Sequence, residues 1–119
     1  MNVAVLGASN KPDRYSYKAV MLLREKGHTP IPVHPHIQDI EGISVHPSLP
    51  AVPKGIHTIT VYLSAHHQRA VETDILESGA RRVIFNPGAE NPELAERLVQ
   101  AGIVTENACT LVLLKTGQF

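Results

Sequence analysis

The sequence has no tryptophan, only two phenylalanines and three tyrosines, and a single cysteine. So few aromatic rings argue against a base-stacking surface for nucleic acid and against an aromatic cage for a cationic ligand. The single cysteine, Cys109, excludes an internal disulfide and is typical of a protein in a reducing compartment. We therefore expect a cytoplasmic protein without disulfide bonds.

Net charge and long apolar runs are also missing. The 11 basic and 11 acidic residues balance, so charge gives no support for nonspecific binding to nucleic acid or to an anionic membrane. The apolar runs are only a few residues long, far short of a membrane span. We expect no secretion signal, because the first residues enter the predicted strand without a basic segment or an extended apolar one. The length of 119 residues predicts one domain, covering residues 1–119.

What the sequence does contain is a regular alternation of strand and helix patterns. Strands are predicted at 2–6, 29–34, 57–63, 82–85 and 103–105. Helices are predicted between them, with caps at Ser16 and Asn91, a helix over 65–78, and glycine stops at Gly27, Gly79 and Gly102. This alternation predicts an α/β fold: a Rossmann-like, three-layer αβα domain with a five-stranded parallel sheet of order 3-2-1-4-5.

The same patterns predict the core and the less regular parts of the chain. The second predicted strand contains Pro30 and Pro32, which cannot donate ladder hydrogen bonds, so we expect it to be short or to have an exposed side. Residues 35–55 are predicted to be irregular, and 111–114 to form a short strand or a packed tail. The predicted core residues are Val3, Val5, Val20, Leu23, Ile31, Ile59, Val61, Val71, Ile75, Val83, Leu94 and Leu98.

A glycine-containing loop follows the first predicted strand and leads into the first helix, where backbone N–H groups can bind a phosphate. The dinucleotide fingerprint Gly-x-Gly-x-x-Gly here reads Gly7, Ser9 and Pro12, so only its first glycine is present. An NAD site also needs Asp or Glu near the end of the second strand, where this sequence has residues 33–36, Val-His-Pro-His. Both departures argue against NAD(P). The loop alone is as consistent with a plain strand–helix turn as with a phosphate site.

Four segments together resemble a known family. They are Gly-Ala-Ser-Asn-Lys-Pro-Asp-Arg-Tyr-Ser-Tyr from residue 7, Pro-Ile-Pro-Val-His-Pro from 30, Val-His-Pro-Ser-Leu from 45 and Asn-Pro-Gly-Ala-Glu-Asn from 86. In this order they resemble the stand-alone CoA-binding domain proteins, which are similar to the N-terminal CoA-binding domain of the succinyl-CoA synthetase α subunit. The resemblance covers nearly the whole chain. It implies a Rossmann-like fold with CoA or acyl-CoA across the C-terminal ends of the strands.

The resemblance also implies which residues contact the cofactor. The loop against the phosphates, with the start of the helix, would be Gly7, Ala8, Ser9, Asn10 and Ser16, and Arg14 matches a basic position that neutralises the 3′-phosphate or the pyrophosphate. The contacts after the second and third strands would be Pro35, His36, Leu63 and Ser64. Those near the pantetheine arm would be Asn86, Pro87 and Gly88. Cys109 lies near a family cysteine, but Thr110 follows it where the family has proline.

Catalytic and metal-binding patterns are absent from the sequence. The catalytic phosphohistidine of the synthetase belongs to a second domain that this chain lacks, so the resemblance does not imply ligase activity. A buried, apolar role for Cys109 is favoured over a nucleophilic one. His34 and His36, like His66 and His67, lack a third ligand at diagnostic spacing, so no metal is expected.

We therefore expect a small CoA- or acyl-CoA-binding module without its own catalysis, acting as a cofactor sensor, a carrier or a subunit of a partner enzyme. The alternatives are an NAD(P)-binding Rossmann protein and a ligand-free protein-interaction subunit. A homodimer through the apolar residues 111–114 is a further possibility. Nucleic acid and membrane are not expected partners.

Overall fold

A parallel sheet forms the middle layer of the structure, with apolar clusters on both faces. The computed structural model describes all 119 residues. In chain order the strands are β1 (Asn2–Leu6), β2 (Thr29–Val33), β3 (Asp39–Ile40), β4 (Ile43–Ser44), β5 (Thr58–Val61), β6 (Arg82–Phe85) and β7 (Val104–Asn107). The helices are α1 (Tyr15–Glu25), α2 (Ala65–Gln68), α3 (Glu72–Leu76), α4 (Pro92–Gln100) and α5 (Thr110–Lys115). Five strands pair in parallel, which confirms the Rossmann-like α/β class, and β3 and β4 form a separate antiparallel hairpin.

The predicted strand order is wrong in detail. The observed order is β2-β1-β5-β6-β7, so the third predicted strand lies beside the first and the second lies at the edge. The prolines explain the edge position. Thr29 N–H donates to the Met1 carbonyl, and because alternate residues of a strand face opposite neighbours, Pro30 and Pro32 turn their nitrogens away from β1. All four residues of β5 are buried, as an interior strand requires.

The helices also differ from the predictions at several points. Asn91 does cap α4, since its Oδ1 accepts from Leu94 N–H at 3.2 Å. Helix α1, however, begins at Tyr15, and Ser16 lies buried in its first turn without capping it. The helix predicted over 65–78 is broken into α2, a 3₁₀ turn at Arg69–Val71 and α3. Residues 111–114, predicted as a short strand or a packed tail, are helical in α5, where Leu111 and Leu114 are buried. No helix combines the length and hydrophobicity needed to cross a membrane.

The core consists of one apolar cluster on each face of the sheet. The larger cluster includes Ile59, Ile75 and Leu98, and the smaller includes Val20 and Leu23. All the predicted core residues are buried except Ile31 and Val71, which are partly buried and pack against the larger cluster. This two-sided core holds the central strands in place, so that their carboxyl ends, and the loops that follow them, lie together at one end of the sheet.

Candidate ligand-binding cleft

A cleft of about 630 Å³ opens above the carboxyl ends of β1, β2 and β5. Seven of the residues expected to contact a cofactor line it: Gly7, Ala8, Ser9, Asn10, Arg14, Ser16 and Leu63. They come from the loop after β1, the start of α1 and the residues after β5. The remaining lining residues were not anticipated from the sequence: Lys11, Asp13, Tyr15, His34, Ile37 and Tyr62. Parallel strands explain the convergence, because all their carboxyl ends meet at one edge.

The first part of the loop is tied to the sheet. Both Gly7 and Ala8 donate their backbone N–H groups to the Val33 carbonyl, each at 3.2 Å. These two groups are therefore not free for a phosphate. The N–H groups of Ser9 and Asn10 have no protein acceptor, so the part of the loop that can bind an anion begins two residues after Gly7.

The start of α1 adds further free donors to the cleft. Arg14 occupies the cap position but gives no side-chain cap, and the first turn contains no acidic residue. The backbone N–H groups of Tyr15 and Ser16, which line the cleft, have no protein acceptor. An uncapped helix start carries a partial positive charge and exposed donors. With the cations of Lys11 and Arg14 in the same wall, opposed by one carboxylate at Asp13, the cleft favours an anion.

Gly7 has a packing role at the base of this cleft. Its φ is +87°, and a Cβ there would lie 3.0 Å from Leu63 Cδ2. A side chain at this position would be strained and would push on Leu63, which itself lines the cleft. Glycine therefore lets the loop pack closely on the residue that follows β5.

A second, more apolar cleft of about 340 Å³ adjoins the first and shares Gly7, His34 and Leu63 with it. Its other lining residues are Leu6, Val33, Pro35, Pro47, Ser48, Leu49, His67 and Val71. Pro35, expected to contact the cofactor, lies here. The site thus consists of a polar cleft and an apolar one in contact, which suits a ligand with a charged part and an apolar part.

The histidine that faces both clefts is His34, not the expected His36. His34 Nδ1 accepts the backbone N–H of His36 at 3.0 Å and of Ile37 at 3.2 Å. Burial lowers the pKa of His34, and the nearby charge of His36 lowers it further. The His36 side chain lines neither cleft. The sequence offered a signal for His34, because it directly follows the strand end where nucleotide-binding folds place a ribose contact.

The residues expected near the pantetheine arm lie outside both clefts. Asn86 is buried, and its side chain donates to Thr60 Oγ1 at 2.7 Å and to the Val61 carbonyl at 3.0 Å. Pro87 and Gly88 are exposed, and Gly88 N–H donates to the Glu90 carboxylate. Asn86 thus connects the ends of β5 and β6, whereas Gly88 bonds only within its own turn.

Two further residues singled out from the sequence are Ser64, which was expected to contact the cofactor, and Cys109. Ser64 is exposed, and its Oγ shares a hydrogen bond of 2.8 Å with His67 Nδ1. Cys109 is half-buried and directly precedes α5. Neither lines a cleft.

Among the residues that line the cleft, Tyr62 has a strongly shifted pKa. Its hydroxyl is buried without a hydrogen-bond partner, and burial raises the pKa of Tyr62 to about 12. The neighbouring Thr60 and Thr110 hydroxyls bond to each other at 2.7 Å. Tyr62 therefore stays neutral at physiological pH. No group of three or more His, Cys, Asp or Glu side chains is arranged to hold a metal ion.

The family that matches this chain agrees with the cleft. The model of a family described as CoA binding domain matches residues 1–115. The chain belongs to this family.

The relatives of this CoA-binding family domain fall into two groups. The uncharacterized protein YneT of Bacillus subtilis (strain 168) is 28% identical over 100 residues, which cover 84% of this chain and 74% of YneT. A crystal structure of an uncharacterized protein superposes with a TM-score of 0.94 at 38% identity, covering 99% of this chain and 97% of that one. Both are matched over most of their length.

A larger enzyme contains the same fold. The dinucleotide-forming acetyl-coenzyme A synthetase 1 of Ca. Korarchaeum cryptofilum, in complex with phosphate and ADP, matches with a TM-score of 0.77 at 20% identity. The match covers 90% of this chain but only 25% of the synthetase. At this identity the match shows a common fold.

Proposed function

We propose that this protein binds CoA or acyl-CoA as a small module without catalysis of its own. The observation that carries the proposal is the uncapped start of α1, whose free N–H groups open into a cleft that Arg14 and Lys11 also line. The family match supports the same ligand. CoA carries a pyrophosphate and a ribose phosphate, which need this kind of donor-rich, positively charged surface.

The two adjoining clefts would bind different parts of the ligand, the charged part in one and an uncharged part in the other. The free N–H groups of Ser9 and Asn10, with the first turn of α1, would hold phosphate oxygens in the polar cleft. The apolar cleft, lined by Leu49 and Val71 among others, would take a part of the ligand without charge. The chain's residues would thus bind and orient the cofactor, leaving its thiol chemistry to another protein.

The proposal of a module without catalysis is supported by the reactive side chains in and near the clefts. Tyr62 is held neutral by burial, and Ser64 and Cys109 lie outside both clefts. Ser64 Oγ does share a hydrogen bond of 2.8 Å with His67 Nδ1, but Ser64 lines neither cleft and so is not placed to attack the bound ligand. We propose that the protein senses or carries the cofactor, or presents it to a partner enzyme, as a domain of this fold lies within a larger synthetase.

NAD(P) is the competing ligand. An NAD site uses a carboxylate at the end of the second strand to accept hydrogen bonds from the ribose hydroxyls. Here that position is His34, whose Nδ1 is already occupied by two backbone donors. The site therefore has no acceptor for the ribose hydroxyls at this position.

Calorimetric titration with CoA, acetyl-CoA, NAD and NADP at fixed low salt tests the proposal. We expect saturable binding of CoA and acetyl-CoA, weakened about tenfold or more in Arg14→Ala by loss of a hydrogen bond to a charged group. Arg81→Ala is the matched control, because Arg81 is exposed and directly precedes β6, at the opposite edge of the sheet. Binding of NAD(P) in place of CoA would overturn the proposal. Binding of none of the four would favour a ligand-free interaction subunit.

A further inference from the structure

The two ring nitrogens of His34 have different surroundings. Its Nδ1 receives two backbone N–H donors, from His36 at 3.0 Å and from Ile37 at 3.2 Å. A nitrogen that accepts hydrogen bonds carries no proton, so the neutral ring must hold its proton on Nε2. The turn after β2 therefore fixes the tautomer of the ring.

The second nitrogen of the ring is free for a ligand. No protein group pairs with His34 Nε2, and it is not a buried unpaired atom. His34 lines both clefts, and because its Nε2 is neither paired with a protein group nor fully buried, this nitrogen is accessible to a ligand. The lowered pKa of His34, which burial causes, keeps the ring neutral near pH 7. His34 thus presents one N–H donor and no acceptor.

The position of His34 indicates which part of a nucleotide meets this donor. It directly follows β2, the strand end at which nucleotide-binding α/β folds contact the ribose. A free ribose diol is best held by an acceptor such as a carboxylate, whereas a phosphorylated ribose needs a donor. A donor without an acceptor at this point therefore selects a ribose that carries a phosphate.

We propose that His34 is a specificity-determining residue that donates from Nε2 to the ribose phosphate of the bound nucleotide, while its Nδ1 holds the turn at residues 35–37. The inference rests on the proposed CoA function and goes beyond it, because it assigns the choice between CoA and 3′-dephospho-CoA to one ring nitrogen. The resemblance had assigned the 3′-phosphate or the pyrophosphate to Arg14 and the contacts after the second strand to Pro35 and His36, and the His36 side chain lines neither cleft.

Two isosteric substitutions separate the two tasks. In His34→Asn the amide oxygen takes the place of Nδ1 and can still accept the two backbone N–H groups, but the Nε2 donor is gone. In His34→Gln the longer amide can reach the place of Nε2 and donate, but the acceptor for the turn is lost. His36→Gln is the matched control, since the His36 ring makes no hydrogen bond of its own.

Titration of these variants with CoA and 3′-dephospho-CoA tests the inference. For the wild type we expect tighter binding of CoA than of dephospho-CoA. His34→Asn should lose about tenfold in CoA affinity, the scale of one hydrogen bond to a charged group, with dephospho-CoA affinity unchanged. His34→Gln should keep part of the preference but lose amide-exchange protection at residues 36 and 37. His36→Gln should change neither ligand.

The outcomes separate this inference from the proposed function. If the wild type binds neither ligand, the proposed function fails. If it binds CoA and His34→Asn keeps the full preference over dephospho-CoA, the assignment of His34 is wrong and the CoA function stands. Imidazole ¹⁵N spectra give a readout without ligand: a proton on Nδ1 of His34 at pH 7.5 would overturn the fixed tautomer.

Discussion

The side-chain oxygen of Asn86 accepts the backbone N–H of Thr110 at 2.8 Å, although 24 residues separate them. The amide of Asn86 also donates to Thr60 Oγ1 and to the Val61 carbonyl. One buried side chain thus connects the end of β6 with the end of β5 and the start of α5. Removing such a side chain destabilises the fold mainly because its buried hydrogen-bonding partners are then left unpaired.

Asn86→Ala is therefore expected to lower the free energy of unfolding by about 2–4 kcal/mol, because it leaves buried partners without hydrogen bonds. Urea denaturation measures this. Asn107→Ala is the control, since Asn107 is exposed at the end of β7 and should change stability by less than about 0.5 kcal/mol. Equal free energies of unfolding for the two variants would show that the hydrogen bonds of Asn86 do not stabilise the fold.

Gly7→Ala tests the close approach of the loop to Leu63. The positive φ alone should cost about 1 kcal/mol, and the 3.0 Å contact with Leu63 Cδ2 should add to it. Gly27→Ala is a matched control, because Gly27 has a φ of +86° but nothing within 4 Å of its Cβ position. We expect a larger loss of thermal stability for Gly7→Ala than for Gly27→Ala. The same loss of thermal stability in both variants would mean that the Leu63 side chain moves away from the new Cβ at no cost.

Gln68→Glu places an oxygen where an amide donor is needed. Gln68 is fully buried, and its Nε2 donates to the carbonyls of Leu63 at 2.8 Å and Ala89 at 2.7 Å. A carboxylate there would repel both carbonyls, so we expect a loss of about 3 kcal/mol at pH 7. Burial raises the pKa of the introduced carboxyl in the folded state, so the loss should shrink as pH falls and the group protonates.

Urea midpoints at pH 7 and pH 5 measure the effect of Gln68→Glu. Gln100→Glu is the control, because Gln100 is exposed at the end of α4 and should show almost no change at either pH. A loss that is the same at both pH values would contradict the raised pKa of the introduced carboxyl.

Three histidines make stability depend on pH. Burial lowers the pKa of His28, His34 and His57 in the folded state. The unfolded chain, with histidine pKa values near about 6.5, then binds protons more readily than the folded protein. Stability from these groups is therefore full above about pH 6.5 and is lost as pH falls through the lowered folded values.

Thermal unfolding between pH 7.5 and pH 5.5 measures this dependence. We expect the melting temperature to fall with pH, and to fall less steeply in His34→Asn, which removes one titrating group but keeps an acceptor for the turn. A melting temperature that rises toward pH 5.5 would contradict the lowered pKa values.

Several elements were predictable because their signals are local. Asn91 with Pro92 marks a helix start through its own side chain, and the cap was found where expected. The apolar residues of β1 and β5 are buried as their pattern indicates. The strand order was predicted wrongly, although Pro30 and Pro32 already indicated an edge strand.

Other features depend on distant partners and had no local signal. The pattern over 65–78 is helical, but Gln68 bonds to Leu63 and Ala89, where the chain leaves regular α-helix for a 3₁₀ turn. Likewise, the role of Asn86 depends on Thr60 and Thr110 from other elements.

By itself, the sequence determined the fold class, the residues of the core and the loop after β1, because side-chain periodicity and turn-forming residues act over a few neighbouring positions. Only the tertiary structure decided which strands are neighbours, which loop N–H groups remain free, and that His34 rather than His36 faces the clefts. The strand order and the choice of free N–H groups depend on hydrogen bonds between residues far apart in the chain, such as those from Gly7 and Ala8 to Val33, and side-chain periodicity does not specify them.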